Sequence, residues 1–170
     1  MRRCRACCRW STNIASNKGE QEKRQFTQGL LNDIKAFDIL LKEKQFDNDV
    51  IRIGAEQELV LVGPDWMPAM NYNTFIKEAN DPMLTTELGR FNLEINLPPL
   101  VFAKDALRNM HAILQEKIDT LRKIGEAHNT QILLTGILPT INWDHLKFEC
   151  MTPNPRYEAL NKLLRTNRNS

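Results

Sequence analysis

Residues 52–62, RIGAEQELVLV, decide how the rest of the chain is read. Alternation puts Ile51, Ile53, Ala55, Leu59 and Leu61 on one face of a strand over residues 50–62. Arg52, Gly54, Glu56, Glu58 and Val60 fall on the other. One face is apolar enough to rest on a core, while the other carries two carboxylates two residues apart. Adjacent carboxylates repel each other, so water must solvate them or a cation must lie between them. Gly63-Pro64-Asp65 closes the strand with turn chemistry.

Beyond this strand, TTELGRFNLEINLPPL (85–100) predicts a second one. Here Leu93, Ile95 and Leu97 alternate with Asn92, Glu94 and Asn96, and Pro98-Pro99 is expected to stop it. QILLTGIL (131–138) is nearly all apolar and predicts a third, interior strand. Three- and four-residue apolar spacing predicts a helix from Phe26 to about Phe46, through Leu30, Ile34, Phe37 and Leu41. The same spacing predicts the clearest helix from Asp105 to about His128, through Leu107, Met110, Leu114, Ile118, Leu121 and Ile124. Both stripes read as core-packing faces. A short helix is expected around Thr74–Ala79, and residues 139–151 read as loop. Asn154-Pro155 has the form of an N-cap with Pro at N1, opening a last helix whose apolar side is Tyr157, Leu160, Leu163 and Leu164. The order predicts an α+β fold, a mainly antiparallel sheet with helices on one face.

Composition narrows the function classes. The chain has 170 residues, 42% apolar and 26% charged, with a net charge of +2. That is the profile of a globular protein and gives nucleic-acid binding no support. No apolar run is long enough to span a bilayer. Residues 1–24 read as a basic leader, RRCRACCRW with Cys4, Cys7 and Cys8, without acid before Glu20 and expected to be unstructured. Cys4-x-x-Cys7 has no second ligand pair nearby, which argues against a zinc knuckle. The Arg-rich, acid-poor composition also suits a transit-like segment. Without a secretory h-region, the expectation is a cytoplasmic protein with reduced thiols.

Glu94 adds a third carboxylate to Glu56 and Glu58 if the two strands are neighbours. An oxygen-rich cluster of this kind suits Mg²⁺ or Mn²⁺, and the same spacing also suits a polar sheet face open to water. Glu87 precedes Glu94 by an odd number of residues, so the two converge only if a bulge or bend intervenes, for which Gly89 is the natural place. His111, His128 and His145 read as ordinary surface or loop residues, and the chain has neither a glycine-rich phosphate loop nor a nucleophile elbow.

IGAEQELVLV, TTELGRFNLEINLPPL, TGILPT and MTPNPRYEAL, in this order, resemble the bacterial glutamate–cysteine ligase type 2 family. The resemblance runs from about Phe26 to Leu164. It implies part of a glutamine-synthetase-like catalytic domain, residues 25–170, that works with ATP and Mg²⁺. The implied reaction phosphorylates the side-chain carboxylate of glutamate and lets an amine, cysteine in the family, attack the acyl phosphate. It further implies Glu56, Glu58 and Glu94 as metal ligands, with Glu87 binding metal or substrate amine. Arg156 is implied as the catalytic cation contacting phosphate or carboxylate, with Thr152 and Tyr157 shaping the nucleotide pocket. Two departures stand out. Gly136-Ile137-Leu138-Pro139 has no histidine where many members have a Gly-Thr-His-Pro pattern, which leaves the amine open. The chain is also far shorter than the family's catalytic domain, so a truncated ligase, inactive alone, is expected. The competing expectations are a non-catalytic, metal-binding remnant that pairs with another chain, a homo-oligomer included, and a binding module built on the basic leader.

Overall fold

A computed structural model describes residues 19–46 and 49–168. The basic leader with Cys4, Cys7 and Cys8 lies outside the described residues apart from its last few positions. The chain divides into two compact units, Met1–Asn48 with Pro153–Ser170, and Asp49–Thr152.

The second unit is an α+β fold around a four-stranded antiparallel open sheet. Its strands are β1 (Arg52–Val62), β2 (Leu84–Thr86), β3 (Asn92–Val101) and β4 (Gln131–Leu133), in the order β2-β3-β1-β4. β1 lies across β3 with Glu58 opposite Glu94 and Leu59 opposite Leu93. Directly opposed residues share a face. Leu59, Leu61, Leu93, Ile95 and Leu97 therefore form one apolar layer, as alternation predicts. Helices α2 (Tyr72–Ala79) and α3 (Ala106–Ala127) cover it. Phe75 from α2 and Ile118 and Leu121 from α3 close a single cluster with those strand residues.

α3 fills the predicted span, with Asp105 and His128 as its flanking caps. Of its stripe, Ile118 and Leu121 are buried and Met110, Leu114 and Ile124 pack partly buried against the core, whereas Leu107 in its first turn is exposed. The helix ends against β4 through Gly125, where a Cβ would run into the Thr130 carbonyl oxygen. The Thr130 N–H donates to the Gly125 carbonyl at 2.9 Å across the same turn. Glycine is needed there for close approach of two backbones.

The other sheet face is divided. At the C-terminal end of β1, Val60 and Val62 are buried with Phe91 and Leu138 in a second cluster. Toward the N-terminal end, Glu56 and Glu58 are exposed.

Two strand expectations and one loop expectation are corrected. Pro98-Pro99 does not stop β3, which runs on to Val101. A register shift between Ile53 and Ala55 absorbs the extra residue there. β2 pairs with β3 only as far as Ile95, so the prolines lie where that side of β3 has no ladder to donate to. QILLTGIL is not an interior strand either. β4 keeps three of those residues at the edge of the sheet, and Ile137 is 80% exposed while Leu138 turns back into the second cluster. Finally, residues 139–151 contain two short 3-10 turns, Trp143–Leu146 and Phe148–Cys150.

The first unit contributes α1 (Glu20–Lys42) and α4 (Pro155–Arg168). Asn154 caps α4 as predicted, its side chain accepting from the Arg156 N–H at 2.9 Å. The core-packing reading of the α1 stripe is corrected. No residue of α1 is buried, and Leu30, Ile34, Phe37 and Leu41 are each about half exposed, as are Leu160, Leu163 and Leu164 of α4. No helix among the described residues is long and apolar enough to cross a membrane.

Candidate functional site

Between β2 and β3 the chain reverses through residues 87–91, and this reversal assembles the site. Thr85 lies opposite Glu94 in the ladder. Glu87, two residues further along, therefore inherits the face that Thr85 and Glu94 share. The odd spacing from Glu87 to Glu94 is resolved by a complete hairpin, with Gly89 in its turn, rather than by a bulge in one strand. The two carboxyl groups meet, and Glu87 hydrogen-bonds the Glu94 side chain.

That contact sets the protonation of Glu94. Its pKa rises from 4.5 to about 7, first through the hydrogen bond with Glu87, then through burial, then through the charges of Glu87 and Glu56. The Asn96 amide, which bonds the same carboxylate, opposes the rise. A carboxyl that keeps its proton to near neutrality can donate to an ionised neighbour, and this is how two acids share one place without a cation. Asn96 is itself held by Thr85, donating from Nδ2 to the hydroxyl at 2.9 Å.

Segment 149–152 buttresses the hairpin. The Thr152 N–H donates to the Leu88 carbonyl at 2.8 Å and the Arg90 N–H to that of Cys150 at 2.9 Å. The Thr152 hydroxyl donates to the Glu87 carbonyl at 2.5 Å, and Thr152 is buried. With its hydroxyl engaged by backbone, Thr152 positions the Glu87 segment. Beside this buttress lies a cavity of about 300 Å³. Glu58 and Glu87 supply its acids, and Leu88, Phe91, Ile141 and Met151 much of its apolar wall.

Of the expected site residues, Glu56, Glu58, Glu87 and Glu94 come together on one sheet face. Arg156 does not join them within a unit, being exposed in the first turn of α4. Tyr157 follows it in the same turn. Among the described residues, no group of three or more His, Cys, Asp or Glu side chains is assembled to hold a metal ion.

His145, read from the sequence as an ordinary loop residue, and Cys150, not singled out there, also line the cavity. His145 belongs to a capping box: its Nδ1 accepts from the Asn142 N–H at 3.2 Å, while the Asn142 side chain accepts from the Asp144 N–H at 2.9 Å. Asn-x-x-His ahead of a short helical turn was the available signal. Cys150 is a free thiol that donates to the Asp144 carbonyl at 3.4 Å, and nothing local in the sequence marks it.

Comparison of the chain with protein-family models, with characterised proteins and with solved structures finds no match.

Proposed function

We propose that this chain serves ATP- and Mg²⁺-dependent carboxylate–amine ligation of the glutamate–cysteine ligase kind, within a glutamine-synthetase-like arrangement of sheet and acids. The observation that carries the reading is the meeting of Glu87 and Glu94 on a sheet face that also bears Glu56 and Glu58, beside a cavity of small-molecule size. The donor chemistry fits a hard divalent cation. All four groups are carboxylates, and the Glu87–Glu94 pair holds a proton where a cation would relieve the same repulsion. Glu87 and Glu94 would hold Mg²⁺ or Mn²⁺ as a pair, with the charge of Glu56 nearby. When bound, the ion supplies charge neutralisation for the phosphates of ATP.

The residues of the chain do the rest. Asn96 orients Glu94, and Thr152 fixes the backbone of Glu87. Arg156, always charged and able to bond bidentately, suits a phosphate or carboxylate contact.

The test is glutamate-dependent ADP release with Mg²⁺ and a panel of amines. Turnover that disappears in Glu94→Gln and Glu56→Gln is the expected result. Turnover absent from well-folded protein with every amine sinks the catalytic reading.

One observation favours a second reading, a non-catalytic chain that acts by pairing with another polypeptide or a second copy. The half-exposed stripes of α1 and α4 are larger than isolated surface apolar residues and lack cover among the described residues. Sedimentation showing a monomer at high concentration, alone and in mixtures, removes it.

A further inference from the structure

We infer that the cavity beside Glu87 is a site for a small primary amine with an apolar body and no carboxylate, an alkylamine rather than an amino acid. Calling this ligand the acceptor rests on the ligase reading, but the binding itself does not.

The inference follows from what lines the cavity. Its ionisable acids are Glu58 and Glu87, and no Lys or Arg is among its lining residues. His145, also in the lining, has its Nδ1 engaged by the Asn142 N–H. An ammonium group therefore finds two anionic partners, whereas a carboxylate or phosphate finds only repulsion. Glu87 is held for this role. Its Oε2 accepts from the Leu88 N–H at 3.3 Å, and its carbonyl is tied to Thr152. The walls, Leu88, Phe91, Ile141 and Met151, offer only apolar contact to the remainder of the ligand. At about 300 Å³ the space lies at the small end of the range for small-molecule sites. Leu146, also in the lining and 57% exposed, stands at the open side through which a ligand enters.

The experiment is a calorimetric titration of the full chain, without ATP or Mg²⁺, using isoamylamine as probe. Isoamyl alcohol tests the need for charge, and leucine tests the penalty for a carboxylate on the same body. Isoamylamine is expected to bind about tenfold or more tighter than either comparator, the scale of one charge-assisted hydrogen bond. Glu87→Gln is expected to remove that advantage and leave the alcohol unchanged. Leu146→Trp, which narrows the entrance, is expected to weaken amine and alcohol alike. Glu58→Gln, at an exposed position, supplies the charge test should Glu87→Gln not fold. Equal binding of amine and alcohol, leucine binding as tightly as the amine, or full amine affinity in both Gln variants overturns the inference. Amine binding without any turnover refutes the ligase reading and leaves this one standing. Turnover with amino acids alone, and no alkylamine binding, does the reverse.

Discussion

Replacing Glu94 with glutamine should stabilise the protein, and only at neutral to alkaline pH. Glutamine imitates the protonated carboxyl: its amide donates to Glu87 and its carbonyl accepts from Asn96. The folded pKa of about 7 lies above the ordinary 4.5. Between those values the folded state binds more protons than the unfolded one, so stability falls as pH rises through the window. Below it both states are protonated and the penalty is absent; above it the penalty is complete. At about 1.4 kcal/mol per unit, the shift corresponds to an upper bound of about 3.5 kcal/mol. The site is open to water on one side, and screening brings the expected gain down to about 1–2 kcal/mol. For a unit of this size that is a rise in Tm on the order of 5–10 °C. The assay is thermal unfolding followed by circular dichroism at about pH 4 and about pH 8.5 with a chelator present, the two conditions bracketing the titration. Glu87→Gln should behave alike, since removing either charge relieves the pair. Mg²⁺ added at the higher pH should stabilise the natural chain and have little effect on Glu94→Gln. A gain of equal size at both pH values, or a loss at the higher one, would refute the shared-proton account.

Three further outcomes are expected. Gly125→Ala should cost about 1–3 kcal/mol in denaturant unfolding, because its methyl meets the Thr130 carbonyl oxygen, which cannot rotate away. Thr152→Val should lower stability by about 1 kcal/mol through loss of the hydroxyl bond to Glu87, and should weaken divalent-ion binding measured by calorimetry. Asp81 bonds Lys117 at 2.9 Å, joining the loop before β2 to α3. Burial pushes its carboxyl up, but the Met83 N–H and the Lys117 ammonium together hold it below the ordinary value. The stability it lends is therefore present above the usual carboxylate range and is lost as pH falls through its depressed pKa. Asp81→Asn should cost about 1–2 kcal/mol at neutral pH and progressively less in acid.

What could be read from the sequence follows the range over which each cause acts. Alternation in 52–62 and 92–97 is set by the pleat alone, so it places Leu59, Leu93 and Ile95 in the core and Glu56, Glu58 and Glu94 on the opposite face without knowledge of the partner strand. The cap at Asn154 is just as local. Pro98-Pro99 misleads because the cost of proline in a strand depends on whether the neighbouring strand reaches it, and β2 does not extend that far. QILLTGIL misleads for a related reason: apolar content says that a segment is covered, but not by what. Leu138 is covered by the second cluster rather than by sheet neighbours. The stripes of α1 and α4 show the limit most plainly, since spacing defines a face and says nothing of what meets it.

Glu87 belongs to a middle case. Parity along one strand set it against Glu94, and the conflict was itself the clue, because two acids can occupy one face at odd spacing only where the chain departs from a regular strand. Gly89 identified the place. What could not be read was that the departure is a hairpin, which brings Glu87 into hydrogen-bonding contact with Glu94 instead of merely onto the same side. The contact gives Glu87 two neighbourhoods at once, the Glu94 carboxyl on the sheet and the cavity that Glu58 also borders. A cation on the sheet and an ammonium in the cavity would then draw on the same carboxylate, each weakening its hold on the other. Titrating isoamylamine in the presence and absence of Mg²⁺ measures that competition. Affinity for the amine should fall several-fold when the ion is bound, a coupling of about 1 kcal/mol. Independence of the two would mean that Glu87 serves only one of them.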